Sequence, residues 1–107
     1  MKMLTIAVVA VSALAGAAQA APITNLQYLQ AARCRGLAAS EGLGKLDTAA
    51  IDAFLRTEGS ARDLAVRTSA VNRMTSAMNE ANKAEGGKKE KLLAERGSQC
   101  GEWLAAR

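Results

Sequence analysis

The chain has 107 residues, 14 Lys and Arg against 10 Asp and Glu, a formal net charge of +4 and no histidine. That length holds one domain, and the mild positive charge is far from the dense basic patch of a nucleic-acid binder. Without histidine, Ser–His and Cys–His nucleophile pairs and His-containing zinc and haem sites are excluded; two cysteines exclude a metal site built from four thiolates, and no cofactor is expected.

The first residues read MKMLTIAVVAVSALAGAAQA. Lys2 precedes an apolar run from Leu4 to Ala15, and Ala18-Gln19-Ala20 has the A-x-A pattern of a cleavage site. This is the arrangement of a secretory signal peptide over residues 1–20, and the run is well short of the ~20 residues that span a bilayer. Leu14-Ala15-Gly16 would open a lipoprotein box if cysteine followed, but Ala17 follows. The expected mature chain, residues 21–107, is then a single exported domain, soluble and, by its Ala-rich leader, periplasmic. It carries no other apolar run long enough to cross a membrane.

After the leader the composition favours helix: Ala, Leu, Met, Arg, Lys, Glu and Gln dominate, with the only Pro at position 22. Glycines punctuate it at 42, 44, 59, 86 and 87. Thr24-Asn25-Leu26-Gln27 is a T-x-x-Q capping box that starts a first helix reaching about Ser40. Its apolar stripe is Ile23, Leu26, Leu29, Cys34 and Leu37, with Gln30 and Arg33 at the rim or paired. A second helix starts near Asp47 or Thr48, ends at Gly59 and buries Ile51, Phe54 and Leu55.

The third helix is expected from Ser60, with Asp63 as a weak box partner, to about Glu85. Its stripe is Leu64, Val71, Met74, Met78 and Ala81, flanked by Ala70 and Ala77. Gly86-Gly87 turns the chain back into a fourth helix from about Lys88, an antiparallel hairpin. Lys88, Lys89 and Lys91 crowd its first turn, where cations oppose the macrodipole. Leu92, Leu93, Arg96, Cys100, Trp103 and Leu104 form its face, and Trp103 docks in the core beside Cys100, against the first helix. The fold class is all-α: a small three- to four-helix bundle.

Cys34 stands between Arg33 and Arg35, an arrangement that favours a thiolate. Yet no C-x-x-C and no histidine accompany it. Two exported cysteines on apolar helix faces point instead to a Cys34–Cys100 disulfide linking the first and last helices. Gly36, Gly97 and Gly101 are small enough to let the backbones approach there. Closing so long a loop is worth about 4 kcal/mol in the chain-entropy estimate.

Asp47, Asp52, Glu58 and Asp63 read as solvated helix faces, and Glu90 and Glu95 as surface charge patterning. No catalytic group is expected, so the leading expectation is a non-enzymatic binding or accessory protein of the bacterial envelope, meeting another protein or a second copy of itself. The alternatives are a periplasmic stress chaperone and a weak binder of anionic membrane surfaces. The residues offered to a partner are Met74 and Met78, whose side chains repack readily, and the lysines Lys88, Lys89 and Lys91. The Met stripe itself is expected to be core.

Overall fold

The structure, a computed structural model, describes residues 22–105. These form α1 (Asn25–Ala38), α2 (Ala49–Gly59), α3 (Leu64–Lys83), α4 (Gly86–Gly97) and the single turn α5 (Gly101–Leu104), with no strand among the described residues. The fold is all-α, as expected, with a disulfide joining its first and last helices. The expected leader, residues 1–20, lies outside the described residues.

The capping box starts α1 where the sequence places it. Thr24 Oγ1 accepts the Gln27 N–H at 3.1 Å, and Gln27 Oε1 accepts the Thr24 N–H at 2.9 Å. The helix stops at Ala38, short of the expected Ser40. The Ser40 hydroxyl is drawn into the next turn instead: it donates to Asn82 Oδ1 at 2.7 Å and accepts the Leu43 N–H at 3.2 Å.

All the other helices pack on α1, and apart from α2 with α5 no other pair is comparably in contact. From Ala31 onward α1 is covered on every side. Ala31, Ala32, Cys34, Gly36, Leu37 and Ala38 are buried, and Arg33 and Arg35 are half-buried. A helix surrounded in this way shows no single apolar stripe. The expected stripe fails at Leu26, which is 61% exposed, and omits the buried Tyr28; Ile23 and Leu29 are half-buried against the core clusters as expected. Cys34 and Leu37 are buried as expected, and Gln30 is exposed.

Contacts between α1 and α3 advance together along both helices: Tyr28 with Ala70, Gly36 with Met74 and Ala77, Ser40 with Asn82. The two helices are parallel, with α2 in the connection between them. They approach closely at Gly36, where an added Cβ would collide with the Met74 carbonyl and stand 3.0 Å from Ala77 Cβ. At that separation alanine fills the gap and a larger side chain does not. The buried side of α3 is accordingly Ala70, Ala77 and Ala81.

This corrects the expected α3 stripe. Leu64 is 70% and Val71 55% exposed. Met74 and Met78 are half-buried and belong to neither core cluster, so of the five only Ala81 is core. The start of α3 also moves. Ser60 closes α2, its hydroxyl donating to the Thr57 carbonyl at 2.8 Å, and Asp63 precedes α3 without a side-chain cap bond. At the other end of α2, the Asp47 carboxylate accepts the Ala49 N–H at 2.9 Å, the local turn typical of Asp before a helix.

The break after α3 is present. Gly86 has φ 58°, a left-handed conformation that glycine adopts without a Cβ penalty. The return that follows is looser than a packed hairpin: Lys88 meets Glu80 at 3.5 Å and Leu92 shares a core cluster with Ala77 and Ala81, but α4 packs mainly on α1 rather than closely along α3. The fourth helix is also interrupted. Ser98 Oγ donates to the Ala94 carbonyl at 2.8 Å, and the Cys100 N–H reaches back five residues to the Glu95 carbonyl at 3.1 Å. The chain restarts as α5. Leu92, Cys100 and Trp103 are buried as expected, while Leu93 is exposed. The Trp103 ring lies 5.1 Å from that of Phe54, centroid to centroid. No described helix is long and apolar enough to cross a membrane.

Candidate functional site

Successive residues of an α-helix point about 100° apart. Arg33, Cys34 and Arg35 therefore reach different neighbours of α1. Cys34 is bonded to Cys100 at the head of α5, with a Cα separation of 5.4 Å. Arg33 donates through Nε and Nη2 to both oxygens of Glu95 on α4, at 2.7 and 2.9 Å, and through Nη1 to Glu80 on α3 at 3.3 Å. Arg35 Nε donates to Asp52 on α2 at 2.8 Å.

The stretch that suggested an activated thiol thus ties four helices to α1. Asp52, Glu58 and Glu95, expected as solvated surface charges, are arginine partners. Partly solvated pairs of this kind contribute on the order of 1 kcal/mol each, and the two-pronged Arg33–Glu95 geometry is the strongest of them. Gly97 and Gly101 stand in open space and are not the close-approach points expected beside the bridge; Gly36 serves α3 instead.

Two further arginines hold the ends of α1. Arg62 donates to the Ile23 carbonyl and Asn25 Oδ1, both at 2.7 Å, and to Glu58 at 2.8 Å, with its guanidinium 5.3 Å from the Tyr28 ring centre. Arg96 donates to the carbonyls of Gly44 at 2.7 Å, Leu43 at 3.1 Å and Leu37 at 3.4 Å. A cation beside a helix C-terminus complements the macrodipole.

These surroundings shift three pKa values. The hydrogen bond to Glu95 raises that of Arg33, against burial, and the charges of Glu95 and Glu80 add to the rise. Burial pushes Asp52 up. Hydrogen bonds from Arg35 and Thr48, with the charges of Arg35 and Arg56, outweigh it and hold the carboxyl below its ordinary value. Burial lowers Arg96, which is bonded to carbonyls rather than a carboxylate. Among the described residues no three His, Cys, Asp or Glu side chains stand together as a metal site.

Of the residues expected to meet a partner, Met74 and Met78 share a side of α3 with Leu64, Arg67 and Val71. Spacings of three and four residues align all five. Lys88, Lys89 and Lys91 are exposed on α4, but Lys91 moves to the second turn because the helix starts at Gly86. Lys88 pairs with Glu80. The lysines and the methionines do not form one patch, since they belong to different helices that are not packed together.

Sequence reasoning missed a polar groove between α1, α3 and the α4–α5 turn. Two adjoining cavities, of about 350 and 300 Å3, share Arg33 and Arg73. Gln30, Cys34, Glu95 and Gln99 complete the first, Asn72 and Ser76 the second. These residues come from three separate segments, so no sequence spacing marks them.

Comparison with protein-family models, with curated proteins and with solved structures finds no match to this chain.

Proposed function

We propose that the protein is a non-enzymatic, exported helical factor that binds another protein through the outer side of α3. The observation that carries this reading is the strip Leu64, Val71, Met74 and Met78. Its first two members are mostly in water although the buried side of the same helix is complete without them. Contiguous apolar surface of that kind marks contact sites, and methionine adapts to varied partners. Arg67 is the formal charge within the strip. A second copy would set like charges together, so the partner is a different protein whose apolar face carries a carboxylate.

The leader pattern of residues 1–20 and the Cys34–Cys100 bridge both suit an oxidising compartment such as the periplasm. The non-enzymatic part of the reading rests on chemistry already engaged. The closest arginines and carboxylates are committed to holding helices together, and the sequence has no histidine to serve as a base.

Photo-crosslinking in the producing cell tests the reading by position. A crosslinker at 71 should trap one discrete adduct, and one at 76, on the other side of α3, should not. A dimer-sized adduct at 71, no adduct there, or equal adducts at both positions would contradict it.

A second reading, an acid-responsive chaperone, draws on one observation: α2, α3 and α4 are each held to α1 through a carboxylate on Arg33 or Arg35. Protonation of those groups would release apolar surface. Dye binding that rises below about pH 4 supports this reading, and binding unchanged across that range ends it.

A further inference from the structure

Four arginines among the described residues are occupied: Arg33, Arg35 and Arg62 meet carboxylates and Arg96 meets carbonyls. Arg73 is not. It has no hydrogen bond or ion pair with another described residue, and it stands in the groove next to Arg33. Arg33 is neutralised there by Glu95 and Glu80, and Glu80 also meets Lys88. The groove therefore has one uncompensated cation, presented as a guanidinium fork.

Around that fork lie the side-chain amides of Gln30, Gln99 and Asn72, none of them bonded to another described residue. Each amide offers both a donor and an acceptor. A guanidinium matches a carboxylate through two parallel hydrogen bonds, and one free guanidinium suits a monoanion better than a phosphate dianion. Amide side chains are the natural complement of a peptide group. The larger cavity, about 350 Å3, is at the small end of ligand sites, enough for one or two residues.

We infer that this groove binds an α-carboxylate adjoining a peptide group, with Arg73 holding the carboxylate and Gln30, Gln99 and Asn72 holding the peptide. Arg33 is a positioning residue: its pair with Glu95 fixes the floor on which Arg73 acts. The site is independent of the proposed contact surface, because Arg73 follows Val71 by two residues and so faces nearly the opposite way on α3. The ligand is either the C-terminus of a protein or a free short peptide.

Nuclear magnetic resonance titration of the intact oxidised protein tests this with acetyl-Ala-Ala, its C-terminal amide and free Ala-Ala. Acetyl-Ala-Ala should shift the Arg73 Nε–H and the Gln30 and Gln99 side-chain amides saturably. The C-terminal amide should bind about tenfold more weakly, the loss of a charge-assisted pair. Tighter binding of acetyl-Ala-Ala than of Ala-Ala identifies a protein terminus, and the reverse order a free peptide. Arg73→Gln should lose about tenfold with melting unchanged, and Arg73→Lys should fall between. Val71→Glu should leave the titration as it was. Equal affinity for acid and amide, unchanged binding by Arg73→Gln, or no saturable shift at these groups would overturn the assignment.

Discussion

Replacing Gly36 by alanine sets two effects of opposite sign against each other. Gly36 lies inside α1, where alanine is the better helix former by roughly 0.5–1 kcal/mol. Against this stands a close approach of α1 and α3: the new Cβ would occupy space held by the Met74 backbone carbonyl. A carbonyl in the middle of a helix cannot swing aside, so α1 and α3 must separate along the largest interface in the molecule. Forced overpacking of this kind costs typically 1–3 kcal/mol. Separation also loosens Ala70, Ala77 and Ala81 together, so the upper part of that range applies and the net loss is about 2 kcal/mol.

Gly97→Ala is the matched control, since nothing lies within 4 Å of its added Cβ. It should gain up to about 1 kcal/mol from propensity alone. Urea and thermal unfolding followed by far-ultraviolet circular dichroism, with the disulfide intact, measure both. Gly36→Ala should lower the melting temperature by roughly 10 °C, at about 4–8 °C per kcal/mol for a domain of this size. A Gly36→Ala protein as stable as the parent would refute the α1–α3 geometry.

Breaking the bridge by Cys34→Ser should cost roughly 2–5 kcal/mol, and mass spectrometry of the parent under non-reducing conditions should find no alkylatable thiol. Asp52 is held below its ordinary pKa, so its contribution to stability is complete above the ordinary carboxylate range and is lost as pH falls through the depressed value. Asp52→Asn should therefore flatten the acid side of a stability–pH profile and, because the Arg35 pair is partly solvated, cost no more than about 1 kcal/mol at neutral pH. On α3, Val71→Glu should fold with stability within about 0.5 kcal/mol of the parent, and Met74→Glu should remain helical with a cooperative melt. Ala77→Glu, which buries an unpaired charge, should unfold the chain; unfolding by Val71→Glu would restore the stripe to the core.

Features set by neighbouring residues were legible in the sequence. Thr24 and Gln27 name their own reciprocal bonds, Asp47 its own turn, and Cys34 and Cys100 have a single intramolecular pairing. What escaped depends on the distance between helix axes. A periodic reading weights bulky side chains, so it chose Leu64, Val71, Met74 and Met78 over Ala70 and Ala77. Yet Gly36 brings α3 so near that the small residues make the contact. The enclosed second half of α1 has no single stripe to find, whereas Leu26 and Tyr28 lie in its first half, where an exposed leucine and a buried tyrosine reverse what hydrophobicity alone suggests. Arg33 and Arg35 were visible as unusual, but their carboxylates lie on three other helices. Arg73 carries no local signal at all; only the tertiary arrangement shows that its neighbours leave it without a partner among the described residues.

The central claim is that α1 is the hub, with the other helices tied to it by one disulfide and by arginines. Hydrogen exchange of the oxidised protein, resolved by residue, tests it most directly. The amides from Ala32 to Ala38 should exchange slowest in the molecule, and those of the uncapped first turn of α4 among the fastest of the helical amides. Maximum protection in α3, with α1 exchanging as early as α4, would contradict the claim.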